Sequence, residues 1–268
     1  MGVVNVTPDS FSDGGRYLAL DAAVAHGRDL AAQGAAIVDV GGESTRPGSA
    51  PVDAAEEAHR VVPVVEALAA SLDMIVSVDT MKASVAAAAL DAGAIVVNDV
   101  TAGRNDGEML GVVADHDAGF VAMHMQGEPA TMQRAPSYQD VVAEVGAFLA
   151  ERVGEARAAG VRADALLADP GIGFGKTTEH NLELLAALPA LAARAGVPLL
   201  VGASRKSFLA KLCGVGEPET RDDATLATSV WAFENGARVV RVHDVAGSVR
   251  AARLLDVIQR ATPEGNVA

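Results

Sequence analysis

The sequence contains little cysteine and few aromatic residues. Cys213 is the single cysteine among 268 residues, so no disulfide can form within the chain and we expect a reducing, cytoplasmic setting. Aromatic residues make up 3% of the sequence, which argues against a surface on which nucleic-acid bases stack. No apolar run reaches the roughly 18 residues that a membrane span requires, so we expect no membrane partner.

Positive charge is also scarce. The sequence holds 21 Lys and Arg residues against 35 Asp and Glu residues, which gives a formal net charge of −14. This charge repels a nucleic-acid duplex, so nucleic acid is not an expected partner. A phosphorylated ligand therefore needs a local cluster of basic side chains. Half of the residues are apolar, which is enough for the core of one large domain.

Eight short β-branched runs alternate with longer helical patterns along the chain. This alternation is typical of repeated βα units around a parallel sheet. We therefore predict an α/β fold, a single (β/α)₈ TIM barrel, in which residues 1–268 form one domain. Pro63 and Pro189 fall within helical patterns, where proline should kink or end the helix. The runs cover residues 3–6, 36–40, 74–78, 95–97, 120–123, 166–168, 199–201 and 239–242.

A polar or charged residue stands near the end of each run. In a barrel these positions meet at the carboxyl ends of the strands, where the active sites of this fold are built. A doubly wound open sheet is the alternative, but it requires a glycine fingerprint after the first strand, and residues 5–9 do not supply one. The strand-end residues are Asn5, Asp39, Asp79, Asn98, Asp99, His124, Asp169, Ser204 and His243.

Residues 169–177, DPGIGFGKT, resemble a phosphate-binding P-loop but lack one of its glycines. The P-loop pattern requires glycine five positions before the glycine of Gly-Lys-Thr, and Pro170 occupies that position. We interpret the segment as a strand-end carboxylate, Asp169, followed by a glycine turn that exposes Phe174. The alternative is an ordinary turn in which Asp169 caps the next helix.

Asp79, Asn98 and Asp169 would line one pocket at the barrel mouth. A carboxylate accepts two adjacent N–H groups from the planar edge of a heterocycle such as an aminopyrimidinone, and an amide serves a mixed donor and acceptor edge. The rival interpretation is a divalent metal held by carboxylates with His124 or His243, although neither HxH nor HExxH spacing occurs. We favour a heterocycle.

Basic residues follow the last two runs, where barrels often bind phosphate. Arg241 and His243 are two residues apart, so strand alternation would point both at one anion. Lys206 and Arg205 follow the seventh run, and a solvated surface charge is an equally good interpretation of Arg205.

Two loops, residues 7–15 and 41–48, combine glycines at their ends with polar residues between them. This composition is typical of lids that close over substrate. Phe11 supports a lid, because an aromatic side chain is out of place in a merely solvated loop. The alternative is a rigid loop with Phe11 packed into the barrel top.

Taken together, these segments resemble the successive motifs of the dihydropteroate synthase family. The motifs are NVTPDSFSDGG, DVGGESTRPG, SVDT, VVNDV, MHMQG, DPGIGFGKT, GASRKSF and RVHDV, one for each strand and in the family's order. The resemblance implies condensation of 6-hydroxymethyl-7,8-dihydropterin pyrophosphate with p-aminobenzoate, Mg²⁺ as a cofactor, sulfonamides as inhibitors, and a homodimer formed through outer helices. A pterin-dependent corrinoid methyltransferase would have no use for the SRKSF and DSFSDGG segments. A catalytically silent pterin-binding paralogue is the other alternative.

The resemblance also implies a role for each motif residue. It implies that the pterin is held by Asp79, Asn98, Met123, Asp169 and Lys206. For pyrophosphate it implies Thr45, Arg46, Arg241 and His243, with Asn5 close to the Mg²⁺ ion. The surroundings of p-aminobenzoate would be Phe11, Pro47, Phe174 and Ser207. The implied catalytic residues are Asp13, which would reach the reacting centre, with Asp79, Asp169, Lys206 and Arg241. Asp39 would give structural support or contact the metal indirectly.

Overall fold

The computed structural model describes residues 1–7, 15–45, 48–71 and 73–261, and residues 15–19 are described through their backbone alone. Four of the predicted site residues lie outside the described residues. They are Phe11, Asp13, Arg46 and Pro47.

The described chain forms one sheet of eight parallel strands, each paired with the next in chain order. The last strand returns to the first through a parallel bridge between Gly2 and Val242, and the amide of Val242 donates to the carbonyl of Met1 at 3.0 Å. These contacts close the sheet, so the predicted barrel is confirmed. The strands are β1 Gly2–Asn5, β2 Ile37–Gly41, β3 Ile75–Asp79, β4 Val96–Asp99, β5 Gly119–Met123, β6 Leu166–Asp169, β7 Leu199–Val201 and β8 Ala237–Val240.

Ten α-helices are described around the strands, two more than one per strand. The additional helices arise because two helices follow β6 and two follow β7. The helices are α1 Gly15–Ala32, α2 Ala54–Ser71, α3 Ala83–Asp91, α4 Met109–Asp115, α5 Val141–Ala158, α6 Thr178–Ala186, α7 Leu188–Ala195, α8 Ser207–Cys213, α9 Asp222–Glu234 and α10 Val245–Ala261. Short 3₁₀ turns occupy Ala163–Ala165 and Pro218–Arg221. Among the described helices none is long and apolar enough to cross a bilayer.

The two prolines in helical patterns have different outcomes. Pro189 lies in the first turn of α7, where a helix does not need the missing N–H, so the pattern divides there into α6 and α7 as predicted. Pro63 lies inside α2, and the helix continues through it to Ser71. The helix therefore does not end at Pro63, and a kink at this position stays a prediction.

Apolar strand side chains point outward and pack against the helices, whereas polar side chains point inward near the carboxyl ends of the strands. Val38 and Val40 of β2 are fully buried in the apolar core between sheet and helices. Asp39 lies between them and must face the other side, because successive strand residues alternate. Its carboxylate accepts a hydrogen bond from Arg241, which follows β8, the strand on the other side of β1. Polar residues that share the phase of Asp39 therefore point into the barrel.

Candidate active site

Three strand-end side chains and one arginine form an ion cluster at the carboxyl mouth of the barrel. Arg241 donates from Nε to Oδ2 of Asp39 at 2.7 Å and from Nη2 to Oδ2 of Asp79 at 2.8 Å. Asn98 donates from Nδ2 to the same Oδ2 of Asp39 at 3.0 Å. The pocket residues Asp79 and Asn98 are thus linked through Arg241 and Asp39, as strand-end convergence predicts.

The register of neighbouring strands explains this arrangement. Asp79 pairs with Gly41 on β2 and with Asn98 on β4, so all three positions lie at one level of the barrel. A side chain at Gly41 would place its Cβ 3.4 Å from Cβ of Asp79. The backbone of β2 at Gly41 therefore lies within van der Waals reach of the Asp79 side chain.

Burial strongly affects the protonation of Asp79. It raises the pKa of Asp79 to about 7, although the positive charge of Arg241 acts in the opposite direction. Burial also acts to lower the pKa of Arg241, but Asp39 and Asp79 outweigh it and raise that pKa above its ordinary value. The cluster therefore keeps a charged arginine beside a carboxyl group that titrates near neutral pH.

The other half of the mouth is formed by the turn after β6 and the loop after β7. Asp169 accepts a hydrogen bond at Oδ1 from the amide of Gly171 at 2.7 Å. Lys206 donates to the carbonyl of Ile172, and its Nζ lies 4.4 Å from the centre of the Phe174 ring. Burial lowers the pKa of Lys206 to about 8, although Asp169 acts to raise it. Burial raises the pKa of Asp169, although Lys206 opposes the shift.

The two halves meet at Gly202, which follows β7. A Cβ added there would lie 3.8 Å from both Cβ of Arg241 and Oδ2 of Asp169. The carboxylates of Asp79 and Asp169 therefore face one mouth from opposite sides. This confirms the predicted convergence of Asp79, Asn98, Asp169 and Lys206, whereas the role of each residue stays a prediction.

The glycine turn 169–177 does not form a P-loop. Lys176 is 3% exposed, and its Nζ lies 2.9 Å from Nδ1 of His124 and 2.9 Å from the carbonyl of Phe174. The amine thus fastens the turn to the end of β5. Asp169 does not cap the next helix either, because the hydroxyl of Thr177 caps α6 by accepting from the amide of His180 at 3.2 Å.

Met123 packs beneath the mouth in a small apolar cluster that is separate from the main core. The cluster joins Met123 with Val100, Met125 and Met132, and Phe174 packs against it. A flat ring lying over Met123 would therefore meet soft, polarizable side chains. This placement is compatible with the predicted position of Met123 beside the pterin.

The loop after β7 holds His243 and Arg205 through specific contacts. The hydroxyl of Ser204 lies 2.9 Å from Nδ1 of His243. Arg205 forms a two-pronged ion pair with Asp222, at 2.8 Å for both Nε and Nη2. The interpretation of Arg205 as a solvated surface charge is therefore wrong. The backbone of Arg205 is left-handed, with φ 58°, and its side chain anchors the residue just before Lys206.

The remaining predicted residues lie on the rim. Asn5 is exposed at the end of β1 and pairs with Gly41, and Thr45 is half-buried in the loop after β2. Ser207 is exposed at the start of α8. It lines a cleft of about 380 Å³ together with Gly173 of the glycine turn. Gly173 directly precedes Phe174 in the chain, and Ser207 directly follows Lys206.

Asn5 has the donor chemistry of a magnesium ligand. Mg²⁺ bound with a diphosphate usually takes one or two protein oxygens, and phosphate oxygens and water complete its octahedron. Asn5 offers one amide oxygen at the open rim, and this donor chemistry fits such an ion. In the described part of the chain, no three His, Cys, Asp or Glu side chains are grouped as a metal site.

Residues 1–243 match the family described as pterin binding enzyme. The chain belongs to the pterin-binding enzyme family. A dihydropteroate synthase of Mycobacterium leprae is 51% identical to it over 98% of this chain and 94% of its own length. The dihydropteroate synthase of Escherichia coli is 46% identical over 96% of this chain and 90% of its own length.

Solved structures agree with the sequence comparison. A Xanthomonas albilineans dihydropteroate synthase with 4-aminobenzoic acid superposes with a TM-score of 0.91 at 49% identity, covering 98% of this chain and 93% of that chain. The same enzyme in complex with 7,8-dihydropteroate gives a TM-score of 0.88 at 46% identity, with coverage of 98% and 93%. The prediction of a dihydropteroate synthase, a transferase of folate synthesis, is confirmed.

Sequence reasoning did not assign Lys82 or the buried position of Lys176. The sequence did give a reason to consider Lys176, because the incomplete P-loop pattern left this lysine without a phosphate to bind. Lys82 carried none, because nothing in the sequence indicates that its partners lie 39 and 25 residues earlier.

Proposed function

We propose that this barrel mouth joins 6-hydroxymethyl-7,8-dihydropterin pyrophosphate to p-aminobenzoate, forming 7,8-dihydropteroate and releasing pyrophosphate. The observation that carries the proposal is the meeting of Asp79, Asn98, Asp169 and Lys206 at one end of a closed barrel. The family supports it, because the Xanthomonas relative has been solved with 4-aminobenzoic acid and with 7,8-dihydropteroate.

The buried carboxylates provide the recognition of the pterin ring. An ionised carboxylate accepts two parallel hydrogen bonds from adjacent N–H groups, and such bonds strengthen where water is excluded. Asp169 already uses Oδ1 for the amide of Gly171, so its orientation is fixed before the ligand arrives. Asn98, held by Asp39, offers its amide oxygen to a donor on the ring. Lys206 completes the opposite wall.

The substitution proceeds with carbon–oxygen cleavage ahead of amine attack. The bond between the pterin methylene and the pyrophosphate oxygen breaks, and its electron pair leaves with pyrophosphate. The arylamine nitrogen then forms the new bond to the methylene carbon and releases a proton to water. The carboxylates of Asp79 and Asp169 favour the positive charge that develops on the ring and methylene.

Basic groups that follow β8 stabilise the departing pyrophosphate. Arg241 donates hydrogen bonds from Nε to Asp39 and from Nη2 to Asp79. Its third nitrogen, Nη1, can donate to an oxygen of the leaving pyrophosphate. His243, oriented through Ser204, lies at the end of the same segment. Thr45 approaches from the loop after β2. Mg²⁺, held at Asn5, would neutralise charge on the diphosphate when bound.

The arylamine enters between Phe174 and the start of α8. The ammonium group of Lys206 lies over one face of the Phe174 ring. The backbone carbonyl of Phe174 accepts a hydrogen bond from Lys176. Ser207 lies at the edge of the adjoining cleft, where a polar group para to the amine would emerge. The placement of both residues supports the predicted p-aminobenzoate surroundings.

The test is the incorporation of labelled p-aminobenzoate in the presence of the pterin pyrophosphate. We expect dihydropteroate to form only when both substrates are present, and Asp169→Asn to lose both pterin affinity and rate. The matched control is Asp164→Asn, because Asp164 is exposed and remote from the mouth. Transfer of a methyl group to a corrinoid, or pterin binding without product, would contradict the proposal. Parental turnover by Asp169→Asn would refute the role of that residue.

We also propose a homodimer formed through outer helices and a cytoplasmic location. Large apolar side chains support the dimer, because Leu254, Val257 and Ile258 on α10 and Trp231 on α9 are each at least half exposed. Light scattering after size exclusion should give about twice the 27.2 kDa chain mass. A monomer at micromolar concentration would contradict this part of the proposal.

A further inference from the structure

A partly buried ion cluster, formed by Lys82, Glu43 and Glu57, has no part in the mechanism above. Lys82 directly precedes α3, and its Nζ donates to a carboxylate oxygen of Glu43 and to one of Glu57. Glu43 belongs to the loop that follows β2, whereas Glu57 lies in the first turns of α2. One lysine therefore ties three separate elements together.

These ion pairs are largely shielded from water, so the loss of one partner is costly. The side chains of Lys82, Glu43 and Glu57 are 20%, 12% and 1% exposed. A carboxylate as buried as that of Glu57 requires a counter-charge. Burial acts to lower the pKa of Lys82, but its hydrogen bonds to Glu43 and Glu57 outweigh this effect and raise that pKa above its ordinary value. The lysine therefore stays charged throughout the neutral range.

The loop base next to this cluster is tightly packed. A Cβ added to Gly42 would come 2.7 Å from Cγ1 of Val61, and Arg60 donates to the carbonyl of Gly42 at 3.0 Å. The hydroxyl of Ser49 donates to that of Ser44 at 2.9 Å, which draws the two arms of the loop together. Residues 42–44 are thus held from both sides, and Thr45 follows immediately.

We infer that Lys82 is a positioning residue for diphosphate binding: by bonding Glu43 to Glu57 it fixes the loop base that presents Thr45 to the leaving group. The inference rests on the proposed function. The residues that hold the ring belong to β3, β4, β5, β6 and the segment after β7, so none of them lies in the loop that contains Glu43. Release of Glu43 should therefore weaken recognition of the diphosphate and leave recognition of the ring intact.

The test compares two ligands on one variant. Glu43→Ala removes the bond to the loop and leaves the Lys82–Glu57 pair in place, so the fold is retained. By calorimetry, its Kd for the dihydropterin pyrophosphate should rise about tenfold, because misplacement by about an ångström is costly at such a site. Its Kd for the same pterin without the diphosphate should change less than about twofold. Glu43→Gln, which can still accept from Lys82, should restore most of the affinity.

The control is Glu66→Ala, an exposed glutamate on the same helix as Glu57, which should leave both Kd values unchanged. If Glu43→Ala raised the Kd of both ligands equally, Glu43 would have a general structural role and the inference would be overturned. An unchanged Kd for both ligands would also overturn it. Failure of the parent protein to form dihydropteroate is a separate result, because it would refute the proposed function itself.

Discussion

Among the individual residues, Asp79 should make pterin binding depend on pH. Its burial raises the pKa to about 7, and the carboxylate is the form that accepts two N–H bonds. Because the carboxylate fraction grows as pH rises through this pKa, a pterin without a diphosphate should bind about eightfold more tightly at pH 7.5 than at pH 6. Calorimetry at both pH values measures the change. Asp79→Asn should bind weakly and without this dependence.

The Asp79→Asn variant separates the titration of Asp79 from that of Lys176, because burial lowers the pKa of Lys176 to about 7 and its amine also loses charge over this range. Lys206 has a pKa of about 8, so it remains mostly charged up to pH 7.5. Omission of the diphosphate removes its own titration near pH 6. Equal affinity at the two pH values in the parent protein would show that Asp79 is already ionised at pH 6.

Lys176 should contribute to stability through the groups that it satisfies. Lys176→Met keeps the length of the side chain but leaves the Phe174 carbonyl and Nδ1 of His124 without their donor. Each buried polar group left unpaired costs about 1–3 kcal/mol, so the loss of both partners should lower the free energy of unfolding by about 2–6 kcal/mol. Urea unfolding measures it, with the exposed Lys211→Met as the control. A loss no larger than that of the control would show that water replaces the amine.

The residues at the mouth differ in how far sequence could predict them. The meeting of Asp79, Asn98 and Asp169 follows from their strand-end positions, because parallel strands of a barrel share one carboxyl face. The ion pairs of Arg241 do not follow. Strand position brings Arg241 to the mouth, but its choice of Asp39 and Asp79 depends on side-chain geometry across the barrel. The partners of Lys82 depend likewise on how α2 and the preceding loop pack.

At the level of elements, strands were easier to predict than helices. Runs of β-branched residues mark buried strands directly, and each predicted run overlaps its observed strand. The bounds agree at both ends only for β7, and those of the other strands differ by one or two residues. Pro189 marks the division of the helices after β6, but the division after β7 was not predicted, because periodicity alone does not show where one helix stops and another begins. Gly214 ends α8 in the left-handed conformation and is the local signal of that division.

The glycine turn after β6 is an element that only glycine can form. Gly171 has φ 66°, and a Cβ there would lie 1.9 Å from the carbonyl oxygen of His124. Gly171→Ala should therefore lower the free energy of unfolding by about 3 kcal/mol or more, since both the left-handed strain and the backbone clash must be relieved. Any folded protein should form dihydropteroate more slowly, because this turn orients Asp169.

Gly107→Ala is the control for that prediction. No atom lies within 4 Å of a Cβ added at Gly107, so urea unfolding should show little change. Equal stability of Gly171→Ala and Gly107→Ala would mean that the turn can move away from β5 at no cost, which would also weaken the role given to Lys176.

At the scale of the whole molecule, the overall charge opposes the substrate. The chain carries a formal net charge of −14, and the diphosphate is itself strongly negative. The basic groups that favour it, Arg241, Lys206 and His243, stand beside the carboxylates of Asp39, Asp79 and Asp169. At distances beyond the mouth the approaching anion therefore meets a repulsive field, and it meets attraction only within a few ångströms of the site.

This charge distribution predicts an unusual salt dependence of association. The screening length falls from about 30 Å at 0.01 M to about 8 Å at 0.15 M ionic strength, so added salt removes the distant repulsion more than the close attraction. The association rate constant of the dihydropterin pyrophosphate, followed by stopped-flow fluorescence, should rise about threefold over this range. The uncharged pterin should show no comparable rise. A rate constant that falls with salt would mean that the bases at the mouth outweigh the rest of the molecule even at long range, and that the acidic surface lies too far from the mouth to affect the encounter.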